Sequence, residues 1–493
     1  MTINPADFVS VIDNQYFPLE PGTTFITESS DGSIGTFAVT RQTKVIDGVT
    51  CVVVSDISTI DGVLEERTLD YFAQDKDGNV WYFGEATEQF EDGKRVGTVG
   101  SWLAGVDGAE PGIVMEKSPH VGDFYNQENA FPVALDQALV VSLAESVAVP
   151  YGSSGHALET KEFTPIEPTV LDYKYYIPGV GFVLGIDAVS GDVEQLVKII
   201  FDGTSKNDTL YGKFGTDELH GYEGDDHLYG LGGSDTIFGD RGDDVLDGGK
   251  DQVADFLYGG AGNDTINVRQ NDHAFGDSGN DLFQLYDNAN FGSINGGGQS
   301  GHDLGKVHGD TLKFSGDLDL TAPALSGSVT GIETLSMQNG HGGDALKLNA
   351  GDVLDLSDGD FNPIFSGADA FGKGDALRVN GDHGDKLSLT NGGRSEIHPT
   401  NAPGGHDVFV HQGPTGLGAS TFNPTFSGAD AFGKGGDALR VDGNHGDTLS
   451  LTGGGWSEIH PTNAPDGYDV FVHQDPTGNA YVLVQESIAV MLS

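Results

Sequence analysis

The sequence predicts an all-β chain in three parts: an N-terminal antiparallel β-meander domain, a central parallel β-roll and C-terminal tandem β-units. Three observations predict it. Asp-Gly dipeptides begin at Asp31, Asp47, Asp61, Asp77, Asp92 and Asp107, a repeating hairpin-turn signal because Asp-Gly accepts positive φ at both turn positions. From Gly203 the sequence repeats every nine residues. Near the end, Phe361–Gly374 reappears as Phe422–Gly435, and a duplication on that scale marks tandem units.

The first part runs over residues 1–200. Between the Asp-Gly turns lie β-branched and aromatic runs such as Thr36-Phe37-Ala38-Val39-Thr40 and Asn79-Val80-Trp81-Tyr82-Phe83, which suit a pleated, half-buried surface. These predict six or seven meander strands with more to follow. Ala130–Ser146 fits helix or strand, with strand favoured from Ala138. Cys51, the one cysteine, sits in an apolar run and is expected to be a buried strand residue; a single cysteine excludes an internal disulfide framework. Asp75-Lys76-Asp77-Gly78-Asn79 has the start of a cation loop, but Ala86 stands where its distal Glu belongs, so a hairpin turn is the expectation.

The second part covers residues 201–285. Asp recurs at Asp208, Asp217, Asp226, Asp235 and Asp244. A large aliphatic residue follows two places later: Leu210, Leu219, Leu228, Ile237 and Leu246. Glycine precedes the Asp by two at Gly215, Gly224, Gly233 and Gly242. An insertion shifts the frame to Asp255; the pattern resumes at Gly262 and Asp264, slips near Asp272, and closes at Gly279 and Asp281. One such repeat buries too little apolar surface to offset its own ordering entropy. Stacked repeats share a core, yet their aligned aspartates repel. A hard, oxygen-seeking cation between neighbouring turns removes that repulsion, and its binding free energy becomes folding free energy.

The nonapeptide resembles that of the RTX proteins, Gly-Gly-x-Gly-x-Asp-x-U-x with U large and apolar. The resemblance implies several bound Ca2+ ions. Their implied ligands are the side chains of Asp208, Asp217, Asp226, Asp235, Asp244, Asp264 and Asp281, together with turn carbonyls at Gly215, Gly224, Gly233, Gly242, Gly262 and Gly279. Lys206 replaces the expected glycine of the first copy, which makes Asp208 a half-formed terminal site, and the best-formed sites are expected between Gly212 and Asp244. The family also implies export by a type I secretion exporter, directed by an uncleaved C-terminal signal such as Gln485–Ser493. Met1–Asp7 lacks the basic and apolar regions of a Sec leader, consistent with that expectation of a secreted, extracellular bacterial protein.

Residues 286–360 are expected to be a β-rich connector, with residues 361–421 and 422–493 as two repeat units, either tandem β-units or sandwich-like lobes. Gly343–Leu348 is a weaker third copy. Segments Gly331–Met337, Leu439–Leu451 and Tyr481–Val484 are similar to the ends of large type I-secreted adhesins. Tyr16–Phe25, Gln74–Gly84 and Tyr175–Gly181 resemble a bacterial secreted or lipoprotein β-domain, a resemblance that implies no activity.

Composition narrows the partners. The chain of 493 residues has 75 Asp plus Glu against 24 Lys plus Arg, a net charge of −51. Such a surface repels nucleic acid and anionic lipid. No run approaches the roughly 18 consecutive apolar residues of a membrane-spanning helix. There is no Gly-x-Ser-x-Gly, His-Glu-x-x-His or P-loop, so catalytic residues stay unassigned. His120, His156, Glu159, Glu162 and Asp172 are grouped in sequence, but such groupings are common in so acidic a chain. His383, His398 and His411 recur as His445, His460 and His473 and are expected to be surface residues. Two functions follow: a secreted structural, adhesive or surface-display protein, with cell-surface or matrix polysaccharide as a partner, or a secreted enzyme acting on polysaccharide or lipid through residues 1–200. A small-ligand-binding β-domain at the front is a third.

Overall fold

The computed structural model describes residues 3–297, 309–337 and 344–348 with their side chains, and beyond them the backbone of individual strands. Among the described residues it is all-β apart from one short 3-10 turn, Pro5–Asp7. The chain divides into two compact units. The first holds Met1–Gly203 with Tyr211–His220 and Gly230–Asp235; the second holds Thr204–Leu210, Gly221–Tyr229 and Thr236–Ser493.

The first unit is an antiparallel sheet of two runs. Strands Thr23–Ser29, Ser33–Ile46, Val49–Ile60, Val63–Asp75 and Val80–Glu91 form a meander. Strands Gln137–Val149, Gly152–Phe163, Leu171–Ile177, Gly181–Asp187 and Val193–Thr204 form a second. Pairing of Ile199 with Phe25 and Leu196 with Thr27 joins the last strand to the first. The Asp-Gly reading is visible in the backbone: Asp47 and Gly48 take φ of 46° and 81°, and Asp61 and Gly62 take 49° and 74°, the two-residue turn that matches strand twist. Asp75 does form a hairpin turn. Its carboxylate accepts from the Asn79 amide, Asn79 Nδ2 and Trp81 Nε1 at 2.8–2.9 Å, which uses up the oxygens a cation loop would need. Cys51 is fully buried, and burial pushes its thiol up to about 12.

The second unit is built from parallel ladders. In one, Leu228, Leu246, Ile266, Phe283, Leu312 and Leu335 stack in register. In the other, Ile237, Leu257, Ala274, Ile294 and Val329 do the same. All of these side chains are buried. The strands are short because each coil must turn twice. Their alternation puts one large apolar residue inward per strand, the expected role of the residue two places after each Asp.

The ladder does not stop at Phe283. It runs through the segment expected to be a connector, with Thr311–Lys313 pairing Leu282–Leu285 and then Thr334–Ser336. The backbone then continues in parallel to Ala376–Asn380, Asp437–Asp442 and Gly478–Gln485. The nine-residue period disappears from the sequence here because the coils lengthen, not because stacking ends. The two copies of the duplication pair with each other: Ala376 faces Ala438, Lys386 faces Thr448, and Val408 faces Val470. Each pair has the offset of the duplication itself, which fits tandem stacked units rather than two separate lobes. Ala345–Asn349, the weaker third copy, pairs with Lys386–Thr390, not with Ala376–Asn380, which it matches in sequence. The repeated histidines lie outside the residues whose side chains are described.

Candidate metal centre

The turns of the roll hold a continuous row of buried carboxylates. Each backbone N–H at the Asp position donates to Oδ1 of the Asp one coil further on. Asp208 donates to Asp226, Asp226 to Asp244, Asp244 to Asp264, Asp264 to Asp281 and Asp281 to Asp310, at 2.6–2.8 Å. The Asp310 amide closes the row on Glu333 Oε2 at 2.6 Å. Spacing along the row is 18, 18, 20, 17, 29 and 23 residues. Asp226, Asp244, Asp264, Asp281 and Asp310 are at most 1% exposed.

One oxygen of each carboxylate is thus satisfied by the protein. In four of them the other is not: Oδ2 of Asp226, Asp244, Asp264 and Asp281 is buried with no hydrogen-bond partner. A buried, unsatisfied carboxylate oxygen costs several kcal/mol if ionised, and the row multiplies that cost. Burial, reinforced by neighbouring aspartates, raises Asp244 and Asp264 to about 7 and Asp281 to about 8. Asp310 rises to about 8 from burial and the charge of Glu333, and burial with the like charge of Asp208 and Asp225 moves Asp226 up.

The surroundings fit a hard cation. A Cβ added to Gly221 would lie 2.5 Å from Asp226 Oδ2 and 2.7 Å from the Gly239 carbonyl oxygen, and one on Gly239 would lie 2.5 Å from both Asp244 Oδ2 and the Gly259 carbonyl. The orphan oxygen therefore shares its cradle with a carbonyl from the next coil. Glycine carbonyls also stack: a Cβ on Gly242 would overlap the Gly224 oxygen, and one on Gly262 the Gly242 oxygen. Gly224, Gly242 and Gly262 take φ of 126°, 135° and 149°, so any other residue there is strained as well as crowded. Among the described residues, no three His, Cys, Asp or Glu side chains converge on one point. A cation in these turns would take much of its coordination from backbone carbonyls, as calcium readily does.

The sites named from the sequence divide by this test. Asp226, Asp244, Asp264 and Asp281, with Gly224, Gly242, Gly262 and Gly279, lie on one continuous row. Asp208 is half-buried, and its Oδ2 accepts from the Thr204 amide and hydroxyl at 2.6 and 2.7 Å. Asp217 and Asp235 belong to the first unit, with the Asp217 amide donating to Asp235 Oδ1 at 2.9 Å. The Asp217 carboxylate is already occupied, by the Tyr151 hydroxyl at 2.9 Å and the Lys213 amide. A Cβ on Gly215 would meet the Tyr151 ring and carbonyl. Orphaned oxygens lie inside the Gly212–Asp244 stretch, at Asp226 and Asp244, and beyond it, at Asp264 and Asp281.

Asp255 and Asp272, which the sequence reaches only across the insertion and the slip, are buried to 1%, and the Asp255 amide donates to Asp272 at 3.3 Å. Asp310 and Glu333 extend the row, signalled only by the Leu two places after each, Leu312 and Leu335. A second, exposed ladder runs beside the first: the Asp243 amide donates to Asp225, Asn263 to Asp243 and Asn280 to Asn263, at 2.7–3.2 Å. Its signal was legible, because in this half of the repeats Asp or Asn always precedes the buried Asp.

The carboxylate–histidine group of the first unit disperses. His120 is exposed beside Asp123, and His156 is exposed. Glu159 accepts from the Tyr175 hydroxyl at 3.0 Å. Glu162 is buried and paired with Lys174 at 2.9 Å. Burial alone would raise its pKa, but the Lys174 ammonium outweighs that and holds it below the ordinary range.

Comparison with known proteins agrees with the geometry. The RTX calcium-binding nonapeptide repeat matches in four copies over residues 202–237, 220–252 and 254–270. None of the curated proteins matches the chain. A solved structure described as a lipoprotein from Parabacteroides distasonis ATCC 8503 is similar at 12% identity, over 37% of this chain and 97% of that chain, with a TM-score of 0.19. The chain carries, in residues 202–270, the calcium-binding nonapeptide repeats of the RTX family.

Proposed function

We propose that this is a secreted protein whose roll folds as it takes up calcium outside the cell, and whose role is structural, adhesive or for surface display. The observation that supports calcium-coupled folding is the row Asp226, Asp244, Asp264 and Asp281, whose outer oxygens are buried without a partner. A divalent ion supplies the missing positive charge. These four side chains and the carbonyls of the turn glycines would hold it. Without the ion the row repels itself and the thin core, one large side chain per strand, must hold the roll alone. With it, each filled site contributes about 2.7 kcal/mol at a calcium concentration of 100 times the dissociation constant.

Secretion through a type I exporter rests on the RTX resemblance and on a physical argument. Extracellular calcium modules bind with dissociation constants on the order of 10⁻⁴–10⁻³ M. Such sites stay empty in a cytosol poor in calcium and fill outside, so the chain would cross the exporter unfolded. Long stacked coils then present extended β surface, which suits adhesion to cell-surface or matrix polysaccharide better than catalysis.

Calcium titration of the chelated protein, followed by far-ultraviolet circular dichroism, tests the first part. Gain of β signal that chelator reverses is expected; an identical spectrum in excess chelator contradicts it. Export is tested in cells carrying a type I exporter. Deletion of residues 422–493 is expected to retain the protein inside, and normal export of that truncation contradicts the route.

A further inference from the structure

The first unit holds a half-open cavity of about 310 Å³, lined by none of the aspartates of the roll. It lies on the inner face of the curled sheet, where alternate residues of nearly every long strand point. Its apolar wall is made by Phe17, Phe25, Phe37, Phe72 and Phe182. Several of these rings meet edge to face, with centroids 5.3–6.4 Å apart, so the wall is a packed aromatic surface.

The lining also carries Asp56, Asp70, Glu128, Asp136, Glu162 and Glu194, with Lys174 as its cation. Most of these carboxylates have protein partners, Asp136 the Thr164 hydroxyl and Asp56 the Ile57 amide among them. Glu162 takes the Lys174 ammonium at 2.9 Å, and Thr160 and Tyr176 hydroxyls at 2.9 and 3.2 Å. Glu194 accepts from Thr27 at 2.6 Å. Asp70, 6% exposed, accepts from the Tyr82 hydroxyl at 2.5 Å. Glu128 accepts from Trp102 Nε1 at 3.4 Å. Lys174 pairs with Glu162, so the carboxylates of the lining outnumber its positive charge.

That imbalance is expensive for the empty cavity. Burial, then the like charge of Asp136, Glu85 and Asp70, raises Glu128 to about 8. Burial raises Asp70 to about 8, against the Tyr82 hydrogen bond and with help from Asp56 and Glu85. A positive ligand would reverse both effects. Among the described residues no three such side chains converge closely enough to hold a metal ion, so these carboxylates surround a volume, not a point. At roughly 30 Å³ per water-sized group, there is room for about ten such groups, the low end of small-molecule sites.

We propose that the cavity binds a small organic cation with an apolar body, an amine or quaternary ammonium. Its positive head lies among Asp56, Asp70 and Glu128, and its apolar part lies against the phenylalanine wall. A neutral sugar or a simple hydrophobe would leave the carboxylates uncompensated.

The test uses the full chain in saturating calcium and three probes of one shape: phenethylamine, 2-phenylethanol and phenylacetate. Calorimetry or quenching of Trp102, which lies against Tyr82 with ring centroids 5.6 Å apart, reads the binding. Phenethylamine is expected to bind at least tenfold more tightly than 2-phenylethanol, with phenylacetate not binding. Glu128→Gln is expected to remove most of that preference, and Glu65→Gln, an exposed carboxylate of the same sheet outside the lining, to leave it intact. Equal binding of the amine and the alcohol, no binding of the amine at millimolar concentration, or a preference that Glu65→Gln abolishes would each overturn the proposal. If Glu128→Gln does not fold, the three probes on the unaltered chain decide alone.

Discussion

The two regions of this chain bury carboxylates by opposite means. The antiparallel sheet supplies its own partners: Lys174 for Glu162, the Tyr82 hydroxyl for Asp70, Thr27 for Glu194. The roll supplies a partner for one oxygen of Asp226, Asp244, Asp264 and Asp281 and none for the other. Those three sheet carboxylates have their partners as soon as the chain folds, while the aspartate row is complete only when something positive arrives. The difference follows from geometry. An antiparallel strand faces different neighbours on each side, so unlike residues can be set opposite one another. A parallel stack of repeats sets each residue against its own copy, so an Asp must face an Asp.

That comparison can be broken at four points. The largest effect is expected from Ile266→Ala. Ile266 is fully buried between Leu246 and Phe283, and losing it should cost about 2–5 kcal/mol. Calcium should restore part of that loss for the roll, and thermal melting with and without calcium measures it. Lys174→Met should destabilise the antiparallel sheet by about 2 kcal/mol, because it strands buried Glu162 while Lys174 itself is partly solvated. Calcium should not rescue it; rescue would show that the two regions share one cation economy.

The third point is pH. Native-state pKa values of Asp244, Asp264 and Asp281 lie near 7, 7 and 8, above their ordinary 3.8. The calcium-free native roll therefore holds more protons than the unfolded chain. Its contribution from these groups is fully present below about pH 4 and is lost as pH rises towards 8. Calcium reverses the sign, because it binds only the ionised form; its affinity should fall on acidification below about pH 8. Denaturant melts between pH 5 and 8, with calcium and with chelator, should slope in opposite directions. The smallest effect belongs to Tyr151→Phe. It removes the hydroxyl that occupies Asp217, costs about 1.5 kcal/mol, and should be recovered by calcium if the freed oxygen then accepts an ion.

How much of this was legible depended on regularity. Asp47-Gly48 and Asp61-Gly62 announce their turns because few other pairs take both positive φ values. The row from Asp208 to Asp244 is legible because each coil has the same length, so identical residues return at identical offsets. Asp310 and Glu333 perform the same stacking across longer coils, and no fixed period survives to reveal them. Tyr151's seat on Asp217 is a contact between residues far apart in sequence, which no local pattern encodes. The cavity was least legible of all. Asp56, Asp70, Glu128 and Glu162 come from separate strands, and only closure of the sheet gathers them.

The central claim is that the roll needs an external cation and the antiparallel sheet does not. Hydrogen exchange of the full chain, in calcium and in excess chelator, tests it most directly. The amides of Asp226, Asp244 and Asp264 each donate within the row. They should be protected in calcium and exchange freely in chelator, while the Val53 and Val54 amides of the antiparallel core stay protected in both. Equal protection of the row in calcium and in chelator would contradict the account.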